Sequence, residues 1–329
     1  MENVQRLFDH LSELKVGVIG DVMLDTYMWG DVERISPEAP VPVVALKKKE
    51  HRIGGAGNVA LNVQSLGAKA FVISVIGEDD EAIKLKQLFL ENNINADYCI
   101  SSPGRLTTNK TRIISRNQHM MRLDAELTND LNKQDQDRLI HLFNQFIERE
   151  KPDVVILEDY NKGILTEEVI KSIISICKSA GVITAVDPKR KNFFEYKGVD
   201  LFKPNLKEVK EALNMLFTDI DLRLLQTIHS ELANLLNHHI SFITLSEKGV
   251  FYEGDKRSAV ISSHIRNIAD VSGAGDTVIA VAALIYTATR NVHLMAEIAN
   301  IAGGLVCEEV GTAAINKMKL LHECELLLS

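Results

Sequence analysis

Cysteine is scarce in this chain of 329 residues. The four present (Cys99, Cys177, Cys307 and Cys324) are widely spread and form no C-x-x-C pair. That pattern excludes a disulfide framework or a structural zinc site and suits reduced thiols in a cytosol. Basic excess is absent too: Lys and Arg total 37 against 45 Asp and Glu, a net charge of -8. Affinity for a phosphate backbone comes mostly from clustered cations, so a nucleic-acid partner is not expected. A local basic pocket for a small phosphorylated ligand stays open. Long apolar runs are missing as well. The most apolar stretch, Val278 to Ala288, falls short of the ~20 residues a membrane span needs. Glu2, Asp9 and Glu13 precede any apolar run, which argues against a signal peptide. The expectation is a soluble, cytoplasmic protein with no membrane partner.

No Pro/Gly/Ser linker and no internal repeat divides the chain, so one domain over residues 1–329 is expected. The remainder is ordinary globular material, 46% apolar and 25% charged, with ample substance for a core. Short apolar runs read as buried strands: KVGVIG (15–20), AFVISVIG (70–77), DVVILE (153–158), GVITAVD (181–187), VDLFKPN (199–205) and ISFITLS (240–246). Helical stretches lie between several of them, at 58–66, 81–91, 130–148, 166–180 and 222–236. Strands alternating with helices predict a mainly parallel sheet covered on both faces. In such sheets ligands bind beyond the carboxyl ends of the strands. Two segments break the rhythm. Residues 22–52, with three prolines, and residues 106–124, rich in Thr, Ile and Arg, read as antiparallel strands of a small projecting sheet.

Asp270-Val-Ser-Gly-Ala-Gly-Asp276 precedes a helical run. Gly273 and Gly275 allow a sharp turn and a close approach of backbone to ligand. A helix starting near Ala274 would aim free N–H groups and its positive dipole end at an anion. Asp276, in that first turn, could take the proton of an attacking alcohol while the amides hold charge on a transferred phosphoryl group. On spacing alone, a plain turn with a helix-capping acid fits equally well.

Gly54-Gly-Ala-Gly-Asn58 opens another helix. Its G-x-G-x-x-A spacing imitates a dinucleotide site, but the charged run Lys47–Arg52 stands where that motif needs a buried strand. The glycines better suit backbone contacts to a sugar, with Asn58 as a two-sided hydrogen-bonding group. Asn205-Leu-Lys-Glu208 follows a strand end. Asn205 could meet phosphate oxygens and Glu208 a water of bound Mg²⁺; the same pair reads as a capping box. There is no G-x-x-x-x-G-K-[ST] loop and no protein-kinase H-R-D or D-F-G set.

Five motifs occur in order: Gly20-Asp21-x-x-x-Asp25, Gly54-Gly55-x-x-Asn58, Asn205-x-x-Glu208, Thr244-x-Ser246-x-x-Gly249 and Asp270-x-x-Gly-Ala-Gly-Asp276. Together they resemble the ribokinase (PfkB) family of carbohydrate kinases across nearly the whole chain. The resemblance implies a three-layer α/β/α sandwich with a small β-sheet lid, formed by about 22–52 and 106–124. Within the family the sequence is similar to the branch that phosphorylates D-glycero-β-D-manno-heptose 7-phosphate at O1, on the way to ADP-heptose and lipopolysaccharide. The carrying residues are Gly20-Asp-Val-Met-Leu-Asp25, the Trp29–Val43 segment, Thr108-x-Lys-Thr-Arg112, Asp159-Tyr-Asn-Lys-Gly163 and Asp187-Pro-Lys189. Many members of that branch carry a nucleotidyltransferase domain with an H-x-G-H signature; this sequence lacks it and resembles a kinase-only form. The one departure is Gly57, where Ala is commoner.

The resemblance implies ATP and Mg²⁺ as cofactors, with a monovalent cation such as K⁺ near Asp270. It implies Asp276 as the base, Gly273, Ala274 and Gly275 as the anion hole, and Asn205 and Glu208 at the triphosphate and Mg²⁺. Thr244, Ser246 and Gly249 would border the nucleotide, and Asn300 its adenine side. Asp25, Gly54, Gly55 and Asn58 would grip sugar hydroxyls. Lys110, Arg112, Arg116 and Lys189 are unranked candidates for the phosphate already on the substrate. A lid from each subunit often pairs in this branch, which predicts a homodimer. Rival readings are a kinase of the same fold acting on ribose, fructose 6-phosphate or a nucleoside, and a non-catalytic sensor of nucleotide or sugar.

Overall fold

The computed structural model describes residues 2–116, 118–217, 219–264 and 266–328. The chain opens with helix α1 (Glu2–His10) and strand β1 (Lys15–Gly20). Two long strands follow, β2 (Val22–Ile35) and β3 (Pro42–Gly55), then α2 (Ala56–Ser65) and β4 (Lys69–Ile76). Next come α3 (Asp80–Glu91), β5 (Asn95–Ser101), and a hairpin of β6 (Thr108–Ser115) and β7 (Gln118–Ala125). The middle of the chain runs α4 (Lys133–Glu150), β8 (Val154–Glu158), α5 (Glu167–Ala180), β9 (Ile183–Asp187) and β10 (Leu201–Phe202). After α6 (Leu206–Ala212) and α7 (Leu222–Leu236) come β11 (Ile240–Thr244), β12 (Val250–Gly254) and β13 (Arg257–Ile261). Three helices close the fold: α8 (Ala274–Thr289), α9 (Val292–Val306) and α10 (Lys317–Leu327).

Nine strands form the main sheet in the order β13-β12-β11-β10-β9-β8-β1-β4-β5. From β11 to β5 neighbours run parallel; β12 and β13 are antiparallel additions. Strand β8 shows why both faces need cover. Val154 and Ile156 pack into one apolar cluster with Val59 of α2, Ala280 of α8 and Ile298 of α9. Val155 and Leu157, pointing the other way, pack with Phe143 of α4, Ile173 of α5 and Leu232 of α7. The period-two alternation thus feeds two cores, and a fully apolar run is what a strand between two helical layers requires. Helix α8 is apolar nearly all round and buried from Asp276 to Tyr286, as a helix enclosed in a core must be. Among the described residues no helix is long and apolar enough to cross a membrane.

The expected strand at 199–205 shrinks to Leu201–Phe202, although single bonds continue past it: Lys203 N donates to the Val186 carbonyl and the Pro204 carbonyl accepts from the Thr244 amide. The helix expected from Asn58 begins two residues earlier, at Ala56. The lid is a separate four-stranded sheet, β3-β2-β6-β7. Its two hairpins are antiparallel as expected, but β2 and β6 pair parallel, Met23 with Thr108 through Gly30 with Ser115. Both strands leave the main body in the same direction, so they lie side by side with the same polarity. Gly57 is explained by packing: a Cβ there would lie 2.5 Å from Ile53 Cγ2 and 3.0 Å from a ring carbon of Phe89, so Ala would force a shift.

Candidate active site

Parallel pairing puts Gly20, Glu158 and Asp187 in one row at the carboxyl ends of β1, β8 and β9. The start of α8 faces this row. Gly273 caps the helix with φ 79°, in the left-handed region, and a Cβ on it would stand 2.8 Å from Asn58 Nδ2. Conformation and space both demand glycine there. A Cβ on Gly275 would meet Asp187 Oδ2 at 3.6 Å and Lys203 Nζ at 3.8 Å, so the first turn of α8 sits over that ion pair. The first-turn amides of the helix have no partner within it, and that of Ala274 donates to the Val271 carbonyl at 3.3 Å.

Asp276 is buried but not among hydrocarbon. Asn58 Nδ2 donates to Oδ2 at 2.7 Å, and the Tyr160 hydroxyl donates to Oδ1 at 2.7 Å. Burial pushes this carboxyl up to about 6, against the pull of those two donors. It is therefore ionised at neutral pH yet basic enough to accept a proton. Asn58 is fixed in turn: Asn62 Nδ2 donates to its carbonyl, while Asn62 Oδ1 accepts from Thr277 Oγ1 and the Ile315 amide. Tyr160 is placed by Asp21, whose carboxylate accepts the backbone N–H groups of Tyr160, Lys162 and Ile164 at 2.8, 3.1 and 3.2 Å. Burial and the nearby Asp276 carboxylate hold the Tyr160 phenol well above its ordinary range, so it remains a donor.

Beneath these groups lies a row of paired charge. Lys203, almost fully buried, meets Asp187 at 2.7 Å, and Lys189 meets Asp187 at 3.4 Å and Glu208 at 2.7 Å. Burial opposes the charge on Asp187, but the two lysines outweigh it and hold the carboxyl below its usual range. Glu158 differs. It is fully buried, neither carboxyl oxygen has a hydrogen-bond partner among the described residues, and burial beside Asp187 and Asp276 raises its pKa well above normal. Asn205 and Glu208 form a true capping box at the start of α6: the Asn205 side chain accepts from the Glu208 amide, and Glu208 Oε2 from the Asn205 amide. The capping role leaves Glu208 Oε1 facing Lys189.

On the lid side, Arg112 donates to Asp25 Oδ1 at 2.7 Å and stacks over the Tyr27 ring. Gly54 lies so near that a Cβ would stand 2.6 Å from Asp25 Oδ2. Gly55 caps α2. The ammonium groups of Lys110 and Lys189 lie 5.5 and 5.6 Å from the centre of the Tyr160 ring. Arg116 is exposed in the turn between β6 and β7, removed from this cluster.

Thr244 bridges Asn205 directly, and the exposed Ser246 and the turn residue Gly249 continue from it. Asn300 spends its amide on the Ser262 carbonyl at 2.9 Å. Asp270 accepts from the Ser272 amide and hydroxyl and from the Gly311 amide. Burial opposes its ionisation, and these donors still hold it below the usual carboxylate range.

The structure thus gathers Asp276, Gly273, Ala274, Gly275, Asn58, Asp25, Gly54 and Glu208 about one cleft. Sequence reasoning gave no role to Tyr160, Asp187, Lys203 or Glu158. Their position at strand ends was the available signal; nothing local marked Thr312, whose hydroxyl reaches Asp25 at 3.4 Å.

Comparison with known proteins agrees with this geometry. The family model described as pfkB family carbohydrate kinase matches residues 13–318. The bifunctional protein HldE of Sulfurimonas denitrificans is 38% identical over 305 residues, covering 92% of this chain and 62% of its own length. HldE of Methylobacillus flagellatus is 38% identical over 325 residues, 99% of this chain and 66% of that protein. The chain spans under two thirds of the length of these relatives. Among solved structures, phosphofructokinase-2 from Escherichia coli in complex with potassium superposes with a TM-score of 0.77 at 17% identity, covering 95% of this chain and 99% of that one. Ribokinase from Arabidopsis thaliana, complexed with ribose and ATP, gives 0.72 at 17% identity, covering 94% and 98%. These structural matches establish the ribokinase-like fold. With a helix start, a buried carboxylate and a lid around one cleft, and with the family model spanning nearly its full length, the chain belongs to the pfkB family of carbohydrate kinases.

Proposed function

We propose that this kinase transfers the γ-phosphoryl group of Mg·ATP to O1 of D-glycero-β-D-manno-heptose 7-phosphate, giving the 1,7-bisphosphate used for ADP-heptose. The carrying observation is Asp276, ionised at neutral pH and held by Asn58 and Tyr160 at the first turn of α8. The HldE relatives and the heptose-kinase motifs of the lid and the Asp159–Gly163 loop supply the acceptor.

In this reading Asp276 accepts the O1 proton as the oxygen attacks phosphorus. The α8 amides around Gly273, Ala274 and Gly275 hold the charge of the transferring group. Lys189 and Lys203 add positive charge at the same floor. Asp25, Gly54, Gly55 and Asn58 orient the sugar, while Asn205, Thr244, Ser246, Gly249 and Asn300 border the nucleotide. The donor set fits Mg²⁺ carried on phosphate oxygens: Glu208 has Oε2 on the Asn205 amide and Oε1 on Lys189, and the second lone pair of Oε1 would serve a metal-bound water. Bound there, Mg²⁺ would neutralise phosphate charge. Asp270, oriented by three donors, would neighbour a bound monovalent cation. The lid exposes Ile35, Leu46, Met121 and Leu123, each more than half accessible, and a second copy covering it would make a cytoplasmic homodimer.

The test is a panel of heptose 7-phosphate, heptose, fructose 6-phosphate, ribose and a nucleoside with Mg·ATP, scored by ADP release and ³¹P NMR of the product. The expected result is strong preference for heptose 7-phosphate and a new anomeric phosphate signal. Preference for an unphosphorylated sugar or a nucleoside overturns the assignment.

A further inference from the structure

Residues 307–316 join α9 to α10, and the lid grips the middle of that connection. Arg52, near the end of β3, donates from Nη1 to the carbonyls of Val310 and Thr312 at 2.9 and 3.0 Å. From β2, the Tyr27 hydroxyl accepts the Thr312 amide at 3.1 Å, and Asp25 accepts from the Thr312 hydroxyl at 3.4 Å. Gly311, between the two carbonyls, has φ 75°. A Cβ on it would stand 2.8 Å from the Tyr27 hydroxyl oxygen and 2.9 Å from Arg52 Nη1. Left-handed backbone and lack of space both require glycine there, so lid and loop are packed as one piece.

The guanidinium is itself held in place. Its central carbon lies 4.8 Å from the centre of the Tyr27 ring, and Nε pairs with Glu50 at 2.7 Å. Glu50 thus fixes one edge of the group while Nη1 meets backbone oxygens. Hydrogen bonds from a charged donor are about twice as strong as neutral ones. A single nitrogen drawing in two carbonyls bends the chain between them around Gly311.

The same bend reaches the start of α8. The Gly311 amide donates to Asp270 Oδ2 at 2.9 Å, while Asp270 Oδ1 accepts from the amide and hydroxyl of Ser272. Ser272 precedes Gly273, the cap of α8, and a Cβ on Gly273 would meet Thr312 Cγ2 at 3.5 Å. One line of contacts therefore runs from lid strand β3, through Gly311 and Thr312, to the turn that sets the first residues of the helix carrying Asp276. Arg52 acts on that turn through the loop.

We propose that Arg52 is a positioning residue for phosphoryl transfer: by clamping loop 310–312 to the lid, it fixes Asp270 and the Gly273 turn at the start of α8. This rests on the proposed function only in taking that helix start as the place of the transferred phosphoryl group, and it holds for any acceptor. A contact that merely stabilised the lid would move the melting temperature and leave turnover alone, so the test reads both.

The full-length protein is compared with Arg52→Ala and Arg52→Lys by steady-state ADP release with heptose 7-phosphate and Mg·ATP at fixed K⁺. Calorimetry of heptose 7-phosphate binding and thermal melts are run in parallel. Arg52→Ala is expected to lower kcat by roughly 10- to 100-fold, the weight of a charge-assisted hydrogen bond. The calorimetric Kd should stay within about threefold of wild type. Guanidinium chloride at low, non-denaturing concentration should restore much of the lost kcat, and tetramethylammonium chloride at equal ionic strength should not. Arg52→Lys keeps the charge but ends one bond short of Nη1, so its kcat should fall between the two. A folded Arg52→Ala with wild-type kcat, a loss confined to the KM for heptose 7-phosphate, or a loss that guanidinium leaves unchanged overturns the inference. Should Arg52→Ala fail to fold, Arg52→Lys decides: a lower kcat at unchanged Kd supports the role, and a wild-type kcat overturns it. If the wild type rejects heptose 7-phosphate, the proposed function fails alone, and the comparison moves to the best acceptor of the panel. A wild type that transfers phosphate to no acceptor in the panel overturns both.

Discussion

The floor of the cleft and the lid above it are built on opposite principles. On the floor, charged groups are buried and, Glu158 apart, matched: Lys203 with Asp187, Lys189 with Glu208, and Asp276 with two neutral donors. In the lid, charges pair at the surface, as in Lys48–Glu50 and Arg122–Asp124, while Met121 and Leu123, two apart on edge strand β7 and hence on one face, stay exposed. The floor is complete within one chain. The lid leaves an apolar face uncovered. Rigid charge placement sets the floor apart, and exposed apolar surface the lid.

The comparison breaks most readily at Asp276. Asp276→Asn removes the proton acceptor and keeps the shape, so kcat should fall by about 10²–10⁴ with the ATP Kd within about threefold, read by ADP release and calorimetry. Next in size is Lys203→Met, which strands Asp187 in the interior. Breaking a buried pair costs about 3–5 kcal/mol. Because Lys189 remains 3.4 Å from Asp187, urea unfolding should show the lower end, about 3 kcal/mol.

Charging the lid, by Met121→Lys with Leu123→Lys, should shift a dimer to monomer in sedimentation while the melting temperature of the monomer stays near that of the parent. A variant that remains dimeric removes the lid from the interface. The smallest effect sharpens the contrast. Arg122→Met breaks an exposed pair and should change stability by less than about 1 kcal/mol.

Most of the fold was legible because its signals are local and repeated. Runs such as Val154–Glu158 read as strands between two helical layers, and Gly273 with Gly275 announces a helix start. The lid hairpins were visible, but the parallel join of β2 to β6 was not, since register between segments some eighty residues apart leaves no local mark. The site was legible in its capping and glycine motifs. Tyr160, Lys203 and Glu158 escaped because their meaning comes from adjacency across strands: Glu158 beside Asp187, Lys203 beneath Gly275. The four basic candidates could not be ranked until the acids already engaged by three-dimensional neighbours were known.

The most direct test of the central claim is the pH dependence of kcat/KM for the wild type and Asp276→Asn side by side. Burial sets Asp276 at about 6, and a base must be ionised to act, so wild-type activity should fall as pH drops through that value. Asp159 is also pushed up to about 6, chiefly by burial, which makes the variant essential. An acid limb near pH 6 that vanishes from the residual activity of Asp276→Asn is the predicted result. The same limb in both proteins, or turnover by the variant within tenfold of wild type, would contradict Asp276 as the base.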